Sequence, residues 1–168
     1  MKTIALFILT LSIMACGKKN NNNNSGNGGK GSDVMFAEYD FVTGADPAKP
    51  VLKKVKGTIR LEKINDKTGK VTVVTEGNAP QDFQEFSMEG MPSREQVQEM
   101  TSDCAQLGAK FEEVETGAGR LPTCFRAEAD GEKVWYGNVP FMMVKRIGKE
   151  SVNGSQEDIE MTLKSYNW

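Results

Sequence analysis

Three cysteines and no histidine set the chemistry open to this chain of 168 residues. Cys16 directly follows the apolar run that ends Leu11-Ser12-Ile13-Met14-Ala15, so its thiol sits where a leader would be cut and a new amine exposed. Cys104 and Cys124 remain as a pair twenty positions apart. Without histidine the commonest general base and metal ligand is gone, and with it Ser-His-Asp, Cys-His and histidine-based zinc sites. Two cysteines cannot complete a four-thiolate site, so no metal and no cofactor is expected. Catalysis would fall to carboxylates, and Glu112, Glu113 and Glu115 form the only dense acidic group near an element end. A solvated face accounts for the same three acids. Gly26-Asn27-Gly28-Gly29-Lys30-Gly31 lacks the spacing of a phosphate-cradling loop, and Asn65-Asp66-Lys67-Thr68-Gly69 lacks the later bidentate glutamate of a calcium loop.

The segments around Cys16 must present that thiol. Lys2 gives a minimal positive start, and Ile4 to Ala15 is apolar except for Thr10 and Ser12, as in a secretory leader. The run falls short of the about 20 apolar residues that a membrane span needs. Leu11 to Cys16 resembles the lipobox of bacterial lipoproteins, with Ile13 and Ala15 at its branched and small positions. The resemblance implies a signal peptide over 1–15, diacylglycerol on the Cys16 thiol, a fatty acid such as palmitate on its amine, and membrane attachment through those chains. Gly17 in place of aspartate implies carriage to the outer membrane, facing the periplasm. Residues 16–33 then form a tether almost entirely of Asn, Gly, Ser and Lys with no apolar side chain after Cys16, unable to offset its conformational entropy by burial. As a coil it would span about 20 to 25 Å. Loss of the leader removes Lys2 and no acid, taking the net charge from −2 to −3. That balance offers no basic surface for nucleic acid.

Residues 34–168 suffice for one domain. Val34 to Phe41 reads as a first strand. Val55, Ile59 and Leu61 alternate with charged neighbours, and beyond the turn at Asn65-Asp66 the alternation resumes at Val71 and Val73, giving a hairpin. Gly77 to Pro92 has no regular pattern and reads as a long loop whose Phe83, Phe86, Met88 and Met91 pack against the core. Ser93 with Gln96 three residues on is a capping box, and Val97, Met100, Cys104 and Leu107 repeat at helical spacing. A helix is therefore expected from Ser93 to about Leu107, closed by Gly108, with Lys110 to Glu115 extended. Thr123 to Ala129 and Glu132 to Asn138 flank Asp130-Gly131, a strong hairpin signal. Phe141 to Ile147 and Ile159 to Tyr166 complete the set, joined by a polar loop with Asn153-Gly154. The sum is an α+β domain, one main helix packed on a largely antiparallel sheet.

An even pair of cysteines in an exported protein is most simply a disulfide, so Cys104 and Cys124 are expected to join. A redox dithiol would need Cys-x-x-Cys at a helix start. The stretch Cys104 to Lys110, then Cys124-Phe125 and Asp130-Gly131 before Trp135, resembles a small cysteine-containing domain of haemolysin-like lipoproteins over about a quarter of the chain. Ala109 stands where that pattern has a second glycine, no cysteine lies near Lys133, and the resemblance implies no catalytic residue. Trp135 and Tyr136 are adjacent on a short strand, so they point to opposite faces. Phe125 in the partner strand suggests an aromatic pair across the hairpin. The exposed one of the two rings, with Phe141, is the candidate contact patch. The expected function is a lipid-anchored, non-enzymatic envelope module binding a protein or glycan partner. The rival is a cell-wall glycan hydrolase using two carboxylates at fixed separation. Cys16→Ser removes the only thiol in the lipobox-like stretch, so metabolic labelling with a palmitate analogue should vanish from that variant; label that persists rejects the lipobox.

Overall fold

The computed structural model describes residues 34–44, 54–80, 84–128, 131–152 and 155–168. Cys16, the leader, the tether, Phe83, Asp130 and Asn153-Gly154 lie outside the described residues. Among the described residues nine strands form one antiparallel sheet: β1 (Phe36–Thr43), β2 (Lys56–Lys63), β3 (Thr68–Thr75), β4 (Gln84–Ser87), β5 (Lys110–Thr116), β6 (Gly119–Ala127), β7 (Lys133–Tyr136), β8 (Met143–Val152) and β9 (Ser155–Asn167). Their spatial order is β4-β3-β2-β1-β9-β8-β7-β6-β5. Chain neighbours pair with one another on each side, and β1 joins β9 in the middle.

This corrects the expected α+β class. The only α-helix among the described residues, α1 (Arg94–Ser102), has nine residues and buries only Val97. It starts with the capping box at Ser93 and Gln96, but it stops at Asp103, whose extended backbone and side chain start a separate 3₁₀ turn over Cys104–Leu107. Asp103 accepts from the Ala105 N–H, a local bond that competes with helical continuation. Gly108 ends that turn at φ 62°, where glycine escapes the Cβ penalty. The helical spacing of the apolar residues thus spans two short pieces. A second correction falls within the expected loop, where β4 pairs with β3. Phe86 lies over Gly69, where a Cβ would stand 2.3 Å from the ring. Phe86, Met88 and Met91 do pack on the core. A four-residue edge strand with one inward ring offers no alternation to read.

Alternation divides the sheet cleanly. Ala37, Tyr39 and Phe41 of β1, Ile59 of β2, Val71 and Val73 of β3, and Ile159, Met161 and Leu163 of β9 are buried on one face, called here the first face. Five strand spacings of about 4.8 Å would part β4 from β8 by roughly 24 Å if the sheet were flat. Yet Phe86 meets Phe141, beside β8, with ring centroids 6.0 Å apart. The β1–β4 half therefore curls round the first face. Tyr39 crosses that core, fully buried, and its hydroxyl donates to the Met143 carbonyl at 3.0 Å.

Burial raises the Tyr39 pKa above its ordinary value. The folded state holds that proton more tightly than the unfolded chain, so its contribution is complete below the unfolded tyrosine pKa of about 10 and is lost as pH rises beyond it. Tyr39→Phe removes the hydroxyl that bonds the Met143 carbonyl and should cost about 0.5–1.5 kcal/mol, while flattening the alkaline fall in stability. Denaturant melts of both proteins across pH 8 to 11.5 measure this; equal slopes would contradict it.

Candidate interaction surface

The opposite half curls the other way. In a flat sheet β5 and β9 would stand roughly 19 Å apart, four spacings along the order. Instead the Gly117 N–H, at the tip of the β5–β6 hairpin, donates to the Leu163 carbonyl of β9 at 3.0 Å. That landing uses an irregularity, since the β1–β9 register shifts between Glu38 and Tyr39 and leaves Lys164 as the extra residue. A Cβ on Gly117 would lie 2.8 Å from the Lys164 carbonyl oxygen, so the approach requires glycine. The second face thereby becomes concave across β5–β9.

Cross-strand register identifies what lines this hollow. Phe125, Trp135, Lys145 and Thr162 form one row across β6, β7, β8 and β9. Glu112 of β5 shares the face, opposite Thr123. Its inner end is filled by Val144, fully buried, whose methyl sits where a Gly137 side chain would be, and by the half-buried Val114 and Leu121. At the open end the half-buried Trp135 donates its indole N–H to Glu112 Oε2 at 2.8 Å. The Phe125 ring lies 4.9 Å from the Trp135 ring at 38°. Lys145 Nζ stands 5.6 Å from the indole and is held by Glu160 at 2.6 Å. One aromatic surface is thus fixed between a carboxylate and an ammonium group. No described basic side chain pairs with Glu112.

The expected patch, the exposed one of the Trp135 and Tyr136 rings together with Phe141, is not one surface. Tyr136 is half-buried on the first face, under Arg126 at 5.5 Å, and burial raises its pKa. Val134 packs into the core on the same side, which leaves Trp135 to the other. Phe141 is buried, in a turn where it and Met142 hold φ of 62° and 60°; β8 begins only at Met143. The signal that points to the real neighbour is Phe125, directly opposite Trp135. Glu112 stands out in the sequence only as one of three similar acids, with nothing that marks it as the partner of Trp135.

The three acids of β5 do not converge on one face. Period two sends Glu113 and Glu115 to the face opposite Glu112, where both meet Arg120, at 2.6 and 3.8 Å. Glu132 and Glu150 do converge, but on the Arg146 guanidinium, which is 9% exposed. Burial works against that charge, and hydrogen bonds from Arg146 to both acids outweigh it, holding its pKa above the ordinary guanidinium value. Among the described residues no group of three or more His, Cys, Asp or Glu side chains is placed to hold a metal, and no described helix is long and apolar enough to cross a membrane.

Cys104 and Cys124 are bonded. The bridge ties the 3₁₀ turn to the first face of β6, on the side away from Trp135. Closing a loop of this length stabilises by roughly 3 kcal/mol through the unfolded chain. No protein-family model, curated protein or solved structure matches the chain. The class it defines is therefore that of its own architecture: an antiparallel β domain curled in two opposite senses, with a polar-aromatic hollow in one curl.

Gly117→Ala should force the hairpin tip off β9. The expected loss is about 1–3 kcal/mol, the usual range for overpacking, with greater acrylamide quenching of tryptophan fluorescence as the hollow opens. Unchanged stability and quenching would mean that the contact does not hold the curl.

Proposed function

We propose that this chain is an envelope lipoprotein, anchored through acyl chains on Cys16, whose β domain is a non-enzymatic module that binds a partner in the hollow of the second face. The anchor rests on the Leu11 to Cys16 stretch. The observation that carries the binding role is Trp135, a half-buried indole fixed by Glu112 at the open end of a concave sheet. Aromatic rings supply much of the energy at binding surfaces, and a ring locked in place loses little freedom when a partner arrives. The glycan hydrolase reading is weakened by the pairing of Glu132 and Glu150 with Arg146. A hydrolase needs one acid free to give a proton and another to stabilise or attack the sugar.

Crosslinking in intact envelopes, followed by recovery of the full chain, tests the reading. A discrete crosslinked species should form with the wild type and be lost with Trp135→Ala at equal folded abundance. The same species with both proteins would remove the hollow from the argument. Release of fragments from purified cell-wall glycan by the isolated chain would replace the binding role with hydrolysis.

A further inference from the structure

We propose that the hollow takes a neutral carbohydrate, with one pyranose ring laid on the Trp135–Phe125 surface between Glu112 and Lys145; this rests on the binding role just assigned. The lining argues by its chemistry against an acyl chain, an anion or a cation. An acyl chain on the rings would strip water from the Glu112 carboxylate and the Lys145 ammonium and return no hydrogen bonds, which is costly for charged groups. An anion would lie against Glu112 and Glu160, and a cation would compete with Lys145, whose Nζ already stands 5.6 Å from the indole. A pyranose satisfies both kinds of group at once. Its axial C–H face is apolar and matches an aromatic surface, while its equatorial hydroxyls project sideways and both donate and accept.

The polar groups are placed for those hydroxyls. Glu112 gives Oε2 to the indole N–H, which leaves Oε1 to accept from a sugar hydroxyl. Lys145 spends one proton on Glu160 and has two others to donate. Pockets that recognise small ligands combine such an apolar wall with few polar groups of fixed direction. Here the direction comes from the backbone: Trp135 and Lys145 are cross-strand partners on β7 and β8, and the Gly117 contact with Leu163 brings β5 and Glu112 round to meet them.

Titration calorimetry with the full chain in detergent, using chitohexaose and maltohexaose as neutral probes and a heparin hexasaccharide and phosphatidylglycerol vesicles as charged ones, decides the matter. At least one neutral oligosaccharide should bind saturably and neither charged probe should. Trp135→Ala and Glu112→Ala should each weaken that binding by more than about tenfold, or 1.4 kcal/mol, with Trp135→Phe retaining part of it. Should Trp135→Ala fail to fold, Trp135→Phe and Glu112→Ala carry the test. Binding of neither neutral probe, or binding that survives both Trp135→Phe and Glu112→Ala unchanged, overturns the proposal. A crosslinked envelope partner lost in Trp135→Ala, without any binding of neutral oligosaccharide, keeps the binding role and rejects the sugar.

Discussion

The pairing of β1 with β9 is the constraint on which the rest of this sheet depends. Phe36 to Thr43 run against Asn167 to Ile159, and among the described strands this is the ladder that joins a β1–β4 half to a β5–β9 half. Its side chains on the first face, Tyr39, Phe41, Met161 and Leu163, are the centre of the core. Its one irregularity, at Lys164, turns the Leu163 carbonyl to a third partner, Gly117. Lys164 itself faces the other way and bridges Glu38 and Asp40 at 3.1 and 3.7 Å, which raises its pKa. A regular ladder would supply neither the free carbonyl nor the landing place.

Two opposite curls follow from that arrangement, and they explain why residues of similar type have different fates. In the β1–β4 half the first face closes on itself, so its apolar side chains meet in a core and the second face is left to charge pairs such as Arg60 with Glu38 and Glu62. In the β5–β9 half the second face turns inward, and the aromatic residues Phe125 and Trp135 line it. The first face there is covered instead by α1 and its 3₁₀ turn, fastened by the disulfide and by Arg126 Nη1, which donates to the Leu107 carbonyl at 3.3 Å. Arg146 lies on the same face in the row of Met161 and Val134. A charge in that position is tolerated because Glu132 and Glu150 both reach it; breaking such a set by removing one partner is strongly destabilising.

The local pairings of this fold are legible in the sequence because they are written within a few residues. Asn65 closes the β2–β3 turn by accepting from the Lys67 and Thr68 N–H groups at 2.9 and 3.0 Å. Gly131, at φ 87°, marks the β6–β7 turn. The capping box at Ser93 is likewise local, as is the alternation that separates Trp135 from Tyr136. What could not be read is set by contacts between distant residues. Nothing near Phe36 announces Asn167 as its partner. Helical spacing from Val97 to Leu107 says nothing of Asp103 taking the backbone out of the helix, so that spacing overstates the helix and understates the sheet. Phe141 shows apolar character but not that Phe86 would cover it from the far side of the curl. The candidate surface was half visible: Phe125 opposite Trp135 follows from hairpin register, whereas Glu112 arrives by curvature, which no alternation pattern encodes.

The central position of β9 also has a consequence in time. The strand that completes the middle of the sheet is the last of the nine to be synthesised, so a growing chain holds its hairpins before it holds its centre. Without Ser155–Asn167, β1 and β8 would each have an unpaired edge. Unpaired edges are templates for other strands, and pairing between residues distant in sequence is slow. A strand of matching alternation could pair with those edges, and the β9 of an identical chain matches them by construction. Exchange of that one strand would give entwined dimers in which every ladder is native and only the chain supplying it has changed.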